Sequence, residues 1–121
     1  MARILFVDDD PFTLETLTKA VSLFGHQAIL AGDGREALAA ASEQLPEIIF
    51  VDMSLPDMDG LELVGLLHNQ AGTKDIPIFM LSAGPELESS ERALAAGARA
   101  YLSKPIRLQT LLDVIQKHVP Q

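Results

Sequence analysis

Five short apolar runs punctuate the chain: ARILFV at 2–7, QAIL at 27–30, EIIFV at 47–51, IPIFML at 76–81 and AYL at 100–102. Continuous apolar runs of this length predict strands buried on both faces. The segments between them have helical spacing. Leu14, Leu17, Val21 and Phe24 fall on one stripe, as do Leu63, Leu66 and Leu67, and later Leu108, Leu111, Leu112 and Ile115. Boundary residues agree with this division. Asp10 stands before Pro11 as a capping acid ahead of a proline at the first helical position. Gly25 falls where the first helix should stop, and Gly97 ends the alanine-rich segment ERALAA. Asp33 and Asp59 each have a glutamate three residues on, Glu36 and Glu62, a variant of the capping box.

Strictly alternating strands and helices predict an α/β domain with a parallel sheet and helices on both faces, doubly wound. No linker, repeat or low-complexity tract divides residues 1–121, so one domain is expected. In such sheets, ligands bind beyond the carboxyl ends of the strands, where strand order reverses.

That edge is where the polar residues gather. The first run leads into Asp8, Asp9 and Asp10, the third into Asp52, the fourth into Ser82 and the fifth into Lys104-Pro105. Asp10 has a local role as the helix cap. Asp8 and Asp9 are neighbours, so they reach one pocket only if the chain turns there. Should they meet Asp52, like charges about 4 Å apart at an intermediate dielectric repel by roughly 4 kcal/mol per pair. Raised pKa values or a bound cation would relieve this. Hard oxygen donors without cysteine or a nearby histidine favour Mg²⁺ or a similar ion. Lys104 would add positive charge beside Asp52, and the Ser82 hydroxyl a hydrogen-bond donor, which together suit an anionic group carried on Asp52.

Composition narrows the partners. Nine Lys and Arg against seventeen Asp and Glu leave a net charge of −8, which disfavours direct contact with nucleic-acid phosphates. Cysteine is absent, so disulfides and thiolate chemistry are excluded and a reducing compartment fits. The N-terminus reaches its charges too soon for a signal peptide, and no apolar run approaches membrane-spanning length. The expectation is a cytoplasmic protein without a membrane partner. His26, His68 and His118 lie outside the strand-end set and read as surface or helix-end residues. Met53, Met58 and Met80 read as packing residues.

Four pieces, VDDDP, VDMSLPDMDG, LSA and YLSKP, stand in this order after the first, third, fourth and fifth runs. With them the chain resembles the receiver domain of two-component response regulators, the CheY-like superfamily, over essentially its whole length. The resemblance implies a flavodoxin-like (βα)5 fold with sheet order 2-1-3-4-5. It implies Asp52 as phosphoacceptor and Asp8, Asp9, Asp52 and the Ser54 backbone carbonyl as Mg²⁺ ligands. Lys104 and Ser82 would contact the phosphoryl group, Ser82 and Tyr101 would form the switch, and the Lys104-Pro105 peptide would often be cis. The implied partners are a histidine kinase or phosphotransfer protein and a downstream effector or output domain. A phosphorylation-dependent homodimer stays open. The implied activity is confined to the domain's own Asp phosphorylation and dephosphorylation, so no conventional enzyme is expected. The changed surface would lie on the fourth helix, fifth strand and fifth helix. ERALAAGARA, in and after the fourth helix, has Leu94 as its one large apolar residue. Such a segment is anchored weakly or allows close packing on the sheet. Ile106 stands where many relatives carry Phe, which bears on packing of the last helix. Met53 and Ser54 occupy variable positions thought to tune phosphate lifetime.

Two other classes remain in view. A haloacid-dehalogenase-like phosphohydrolase carries Asp-x-Asp-x-Thr/Val after its first strand; here Asp8-Asp9-Asp10-Pro11 is followed by Phe12, and the chain is short for that fold. A pseudo-receiver that only binds partners would lack a site residue, and none is lacking. The chain ends soon after its last helix, as a whole single-domain regulator or a piece of a longer one would.

Overall fold

A computed structural model of the chain describes residues 2–83 and 86–119. Its elements run β1 (Arg3–Val7), α1 (Pro11–Ser22), β2 (Gln27–Ala31), α2 (Gly34–Gln44), β3 (Ile48–Asp52), α3 (Gly60–His68), β4 (Ile78–Ser82), α4 (Glu86–Ala96), β5 (Ala100–Ser103) and α5 (Leu108–His118). The strands form one parallel sheet in the order β2-β1-β3-β4-β5, as expected.

Strand periodicity builds two cores. Leu5 and Val7 of β1 pack with Ile49, Val51 and Met80 on one face, together with Leu63, Val64 and Leu67 of α3. The alternate residues Ile4 and Phe6 pack with Phe50 and Phe79 on the other face, against Leu17 and Val21 of α1 and Leu111 and Ile115 of α5. Phe6, Phe50 and Phe79 stack across three adjacent strands with ring centroids 5.5 and 5.6 Å apart. His118 closes this row edge-on to Phe79 at 4.8 Å, so it is a packing residue as well as a helix-end one.

The central strands are buried on both faces, but the edges depart from that expectation. β2 alternates buried and exposed positions, and β5 is half-buried for most of its length. An edge strand has a neighbour on one side only, so it is covered less completely. β4 begins two residues later than its apolar run. Ile76 closes a turn onto the Thr73 carbonyl, and Pro77 has no N–H to donate to a ladder. Phe24, Leu66 and Leu108 extend the helical stripes in sequence but are exposed. Phe24 lies beyond the end of α1, where the chain has turned towards Gly25 at φ 82°.

The caps form from the expected acids. Asp10 accepts from the Phe12 amide at 3.2 Å and the Thr13 hydroxyl at 2.7 Å. Asp59 accepts from the Leu61 amide at 2.8 Å. Asp33 accepts from the Glu36 amide at 2.8 Å, but the Glu36 carboxylate takes the N–H of Gly32, one residue short of the reciprocal bond of a standard capping box. In α4, Ala93 is fully buried while Leu94 faces water, so the inward position of this helix is held by a small residue and not by its large apolar one.

Candidate phosphoacceptor and metal site

Asp8 follows β1 directly, and its amide donates to the Ala31 carbonyl at 3.0 Å, extending the β1–β2 pairing by one bond. Its carboxylate Oδ1 then accepts the Asp10 amide at 2.9 Å. This side-chain bond two residues forward turns the chain. The turn answers how adjacent acids share a pocket. Carboxylate oxygens of Asp8, Asp9 and Asp52 lie within 4.8 Å of one another, with Asp8 and Asp52 buried and Asp9 exposed. Asp52 comes from the last residue of β3, the strand beside β1.

Lys104 reaches this cluster from the far side of the sheet. Its backbone amide donates to the Ser82 carbonyl at 2.9 Å, just beyond the Ser82–Ser103 register pair of β4 and β5. Its Nζ lies 2.8 Å from Asp8 Oδ2 and 3.2 Å from Asp52 Oδ1. The Lys104-Pro105 peptide is cis. Burial alone would lower the Lys104 pKa, but the hydrogen bond to Asp8 and the charges of Asp52 and Asp8 hold it above its ordinary value. Asp52 is pushed up. Burial is the main cause, Lys104 opposes it, and the neighbouring Asp8 and Asp9 add to it.

Ser82 is buried at the end of β4. Tyr101 pairs in register with Met80, two residues before Ser82, so Tyr101 and Ser82 share a sheet face. Tyr101 is half-buried against the core on that face. Ser54 is exposed and forms an isolated antiparallel bridge with Asp59. The structure therefore brings Asp8, Asp9, Asp52 and Lys104 into direct proximity, with Ser82 at the same edge and Tyr101 one pleat below. His26 stays apart, its Nδ1 accepting the Ala2 amide at 3.0 Å.

Two residues shape the site in ways the sequence did not disclose. Gly60, the first residue of α3, lies against the end of β3: a Cβ there would come within 2.5 Å of the Asp52 carbonyl oxygen and 2.8 Å of Met53 Cα. Only glycine lets α3 start this close to the Asp52 backbone. Asp57 reaches from the β3–α3 loop to the N-terminus of α2, where Oδ1 accepts from Gly34 at 2.8 Å and Oδ2 from Arg35 at 3.0 Å. Those bonds, the one to Gly34 foremost, hold its carboxyl below the usual range.

The donor set suits a hard divalent cation. It offers carboxylate oxygens from three residues at short range, and one ammonium against three carboxylates leaves an excess of negative charge.

A family model of the response regulator receiver domain matches residues 4–116, and the chain belongs to that family. PilH of Pseudomonas aeruginosa is 33% identical over 115 residues, covering 95% of each chain. The structure of the chemotaxis protein CheY4 of Vibrio cholerae superposes with a TM-score of 0.91 at 34% identity, covering 98% of this chain and 99% of that one. The receiver domain of the sensor histidine kinase PA1611 of P. aeruginosa, with a magnesium ion coordinated in its active-site cleft, gives a TM-score of 0.88 at 28% identity over 97% of this chain and 96% of that one. Among the described residues, no helix is long and apolar enough to cross a membrane.

Proposed function

We propose that this receiver domain takes a phosphoryl group from a phosphohistidine onto Asp52 and signals through the surface of α4, β5 and α5. Receiver domains interact with histidine kinases and with output or effector partners. The observation that carries the reading is the placement of Asp52: a buried carboxylate with Lys104 Nζ at 3.2 Å, adjoining two further acids.

Asp8, Asp9, Asp52 and the Ser54 carbonyl would hold Mg²⁺, the ion held in the cleft of the PA1611 receiver. When bound, it supplies positive charge that offsets the negative charge on the transferring phosphoryl oxygens. Asp8, gripped by the Asp10 amide and Lys104, is fixed before the partner arrives. An Asp52 carboxylate oxygen attacks phosphorus in line; the new O–P bond forms as the N–P bond to the imidazole breaks. The electron pair of that bond leaves with the imidazole, and Asp52 becomes an acyl phosphate.

The added phosphoryl oxygens attract Lys104 and the Ser82 hydroxyl. Ser82 moves towards them and frees space on the sheet face it shares with Tyr101. The half-buried Tyr101 ring turns inward, and the outer surface formed by α4, β5 and α5 changes shape. This is a population shift between two packings, biased by one local charge. The domain acts on its own carboxylate and on no further substrate, and we place this exchange in the cytoplasm.

Beryllofluoride with Mg²⁺, a non-covalent mimic of the phosphoryl group, tests the reading by two-dimensional NMR. The wild type is expected to shift resonances at Ser82, Tyr101 and α4, and Asp52→Asn to show no such change. A wild type that stays unchanged in saturating Mg²⁺ and beryllofluoride would refute it, as would an Asp52→Asn variant that responds equally.

A further inference from the structure

The β3–α3 loop carries Ser54 and is held at two ends. At its base, Ser54 bridges to Asp59, and the Gly60 amide donates to the Met53 carbonyl at 2.8 Å. At its tip, the Asp57 carboxylate spans the first two amides of α2, Gly34 and Arg35, at 2.8 and 3.0 Å. Met58 packs beside this clamp so tightly that a Cβ on Gly34 would lie 2.4 Å from its sulfur. The opening amides of α2 have no partner within the helix, so an ionised carboxylate from another element binds them strongly. The helix already has a local cap from Asp33 on the Glu36 amide. Asp33 serves the Glu36 amide and Asp57 the Gly34 and Arg35 amides, so Asp57 completes the cap from another element and in doing so ties the loop to α2.

We propose that Asp57 is a positioning residue for the metal site: by clamping the β3–α3 loop to the N-terminus of α2, it holds the Ser54 carbonyl where a divalent cation needs it. The inference rests on the phosphoacceptor reading, which names that carbonyl as a ligand. Coupling of this kind is reciprocal, so metal binding also tightens the clamp.

Three proteins test it: wild type, Asp57→Asn and Asp33→Ala. Asn keeps the size of Asp57 but can accept through only one side-chain atom. Asp33→Ala removes a charge from the same edge and a cap from the same helix without touching the loop. Mg²⁺ titrations followed by NMR give affinity, and hydrogen exchange of the Gly34 and Arg35 amides gives the state of the clamp. Wild type is expected to bind Mg²⁺ and to slow exchange at both amides as it does so. Asp57→Asn is expected to lose that slowing and bind Mg²⁺ about tenfold more weakly, the scale of losing an outer support of a metal ligand. Asp33→Ala is expected to destabilise α2 yet keep wild-type affinity. The proposal is overturned if Asp57→Asn binds as tightly as wild type, or if both variants weaken binding equally. A wild type that binds no Mg²⁺ would instead bring down the phosphoacceptor reading itself, a different result.

Discussion

Lys104 holds two of the three carboxylates that a divalent cation would use, Asp8 at 2.8 Å and Asp52 at 3.2 Å. The ammonium and the cation therefore compete for the same lone pairs while both lower the negative charge of the pocket. Which effect governs metal binding follows from range. Lys104 already sits in hydrogen-bonding contact with oxygens that must turn to a metal, so losing it frees them. Lys104→Ala is expected to bind Mg²⁺ about five- to tenfold more tightly, roughly the 1 kcal/mol of a partly exposed ion pair. The same variant should show a smaller response to beryllofluoride, because the ammonium that draws the β5 end towards the new anion is gone while the Ser82 hydroxyl remains. Mg²⁺ and beryllofluoride titrations on one NMR sample separate the two results. Weaker Mg²⁺ binding in Lys104→Ala would show that the ammonium organises the acids rather than competing for them.

At the scale of elements, the site depends on where helices begin. α3 starts against the β3 end, and its first residue must be glycine because the atoms a Cβ would strike, the Asp52 carbonyl oxygen and Met53 Cα, are backbone atoms. Gly60→Ala should cost about 1–3 kcal/mol in a urea titration, the usual range for overpacking a site that cannot yield. The Asp57 clamp has its own signature. Its carboxyl is held below the usual range, so its stabilising contribution is full above the pKa of the unfolded chain and is lost as pH falls through the lower folded value. The stability gap between wild type and Asp57→Asn should thus be present at neutral pH and close in acid; a gap unchanged by pH would mean the charge plays no part. These elements also show what the sequence could disclose. Apolar runs located the central strands because β1, β3 and β4 are covered on both faces, and the acids before α1, α2 and α3 marked helix starts because caps are local. The runs that became β2 and β5 were strands as expected but are covered less completely than two-sided burial implies, and the helical stripes do not disclose that Leu66 and Leu108 face solvent, because period alone does not say what lies opposite. The roles of Asp57 and Gly60 were hidden for a related reason. Asp57 bonds residues 23 and 22 positions away, and the crowding at Gly60 comes from the end of a strand that only the fold brings there.

Across the whole molecule, seven of the seventeen acids behind the net charge of −8 fall into two groups with different fates. Asp10, Asp33, Asp57 and Asp59 each accept backbone amides at a helix N-terminus, where the helix dipole favours a negative charge. Asp8, Asp9 and Asp52 crowd together with Lys104 as the positive partner of Asp8 and Asp52, and burial pushes Asp52 up. The capping acids stabilise the fold without metal, whereas the clustered acids bring three carboxylates to one ammonium, and a bound cation would offset the remaining negative charge. Mg²⁺ at ten times its dissociation constant should add about 1.4 kcal/mol of stability. For a chain of this size that is a rise in Tm of about 5 °C. Asp9→Ala should remove most of that increment. Asp59→Ala should lower the starting stability by about 1 kcal/mol yet keep the increment, since its carboxylate serves a helix. Thermal scans of the three proteins with and without Mg²⁺ distinguish these roles. An increment that survives in Asp9→Ala, or disappears in Asp59→Ala, would show that the acids are not divided between helices and metal in this way.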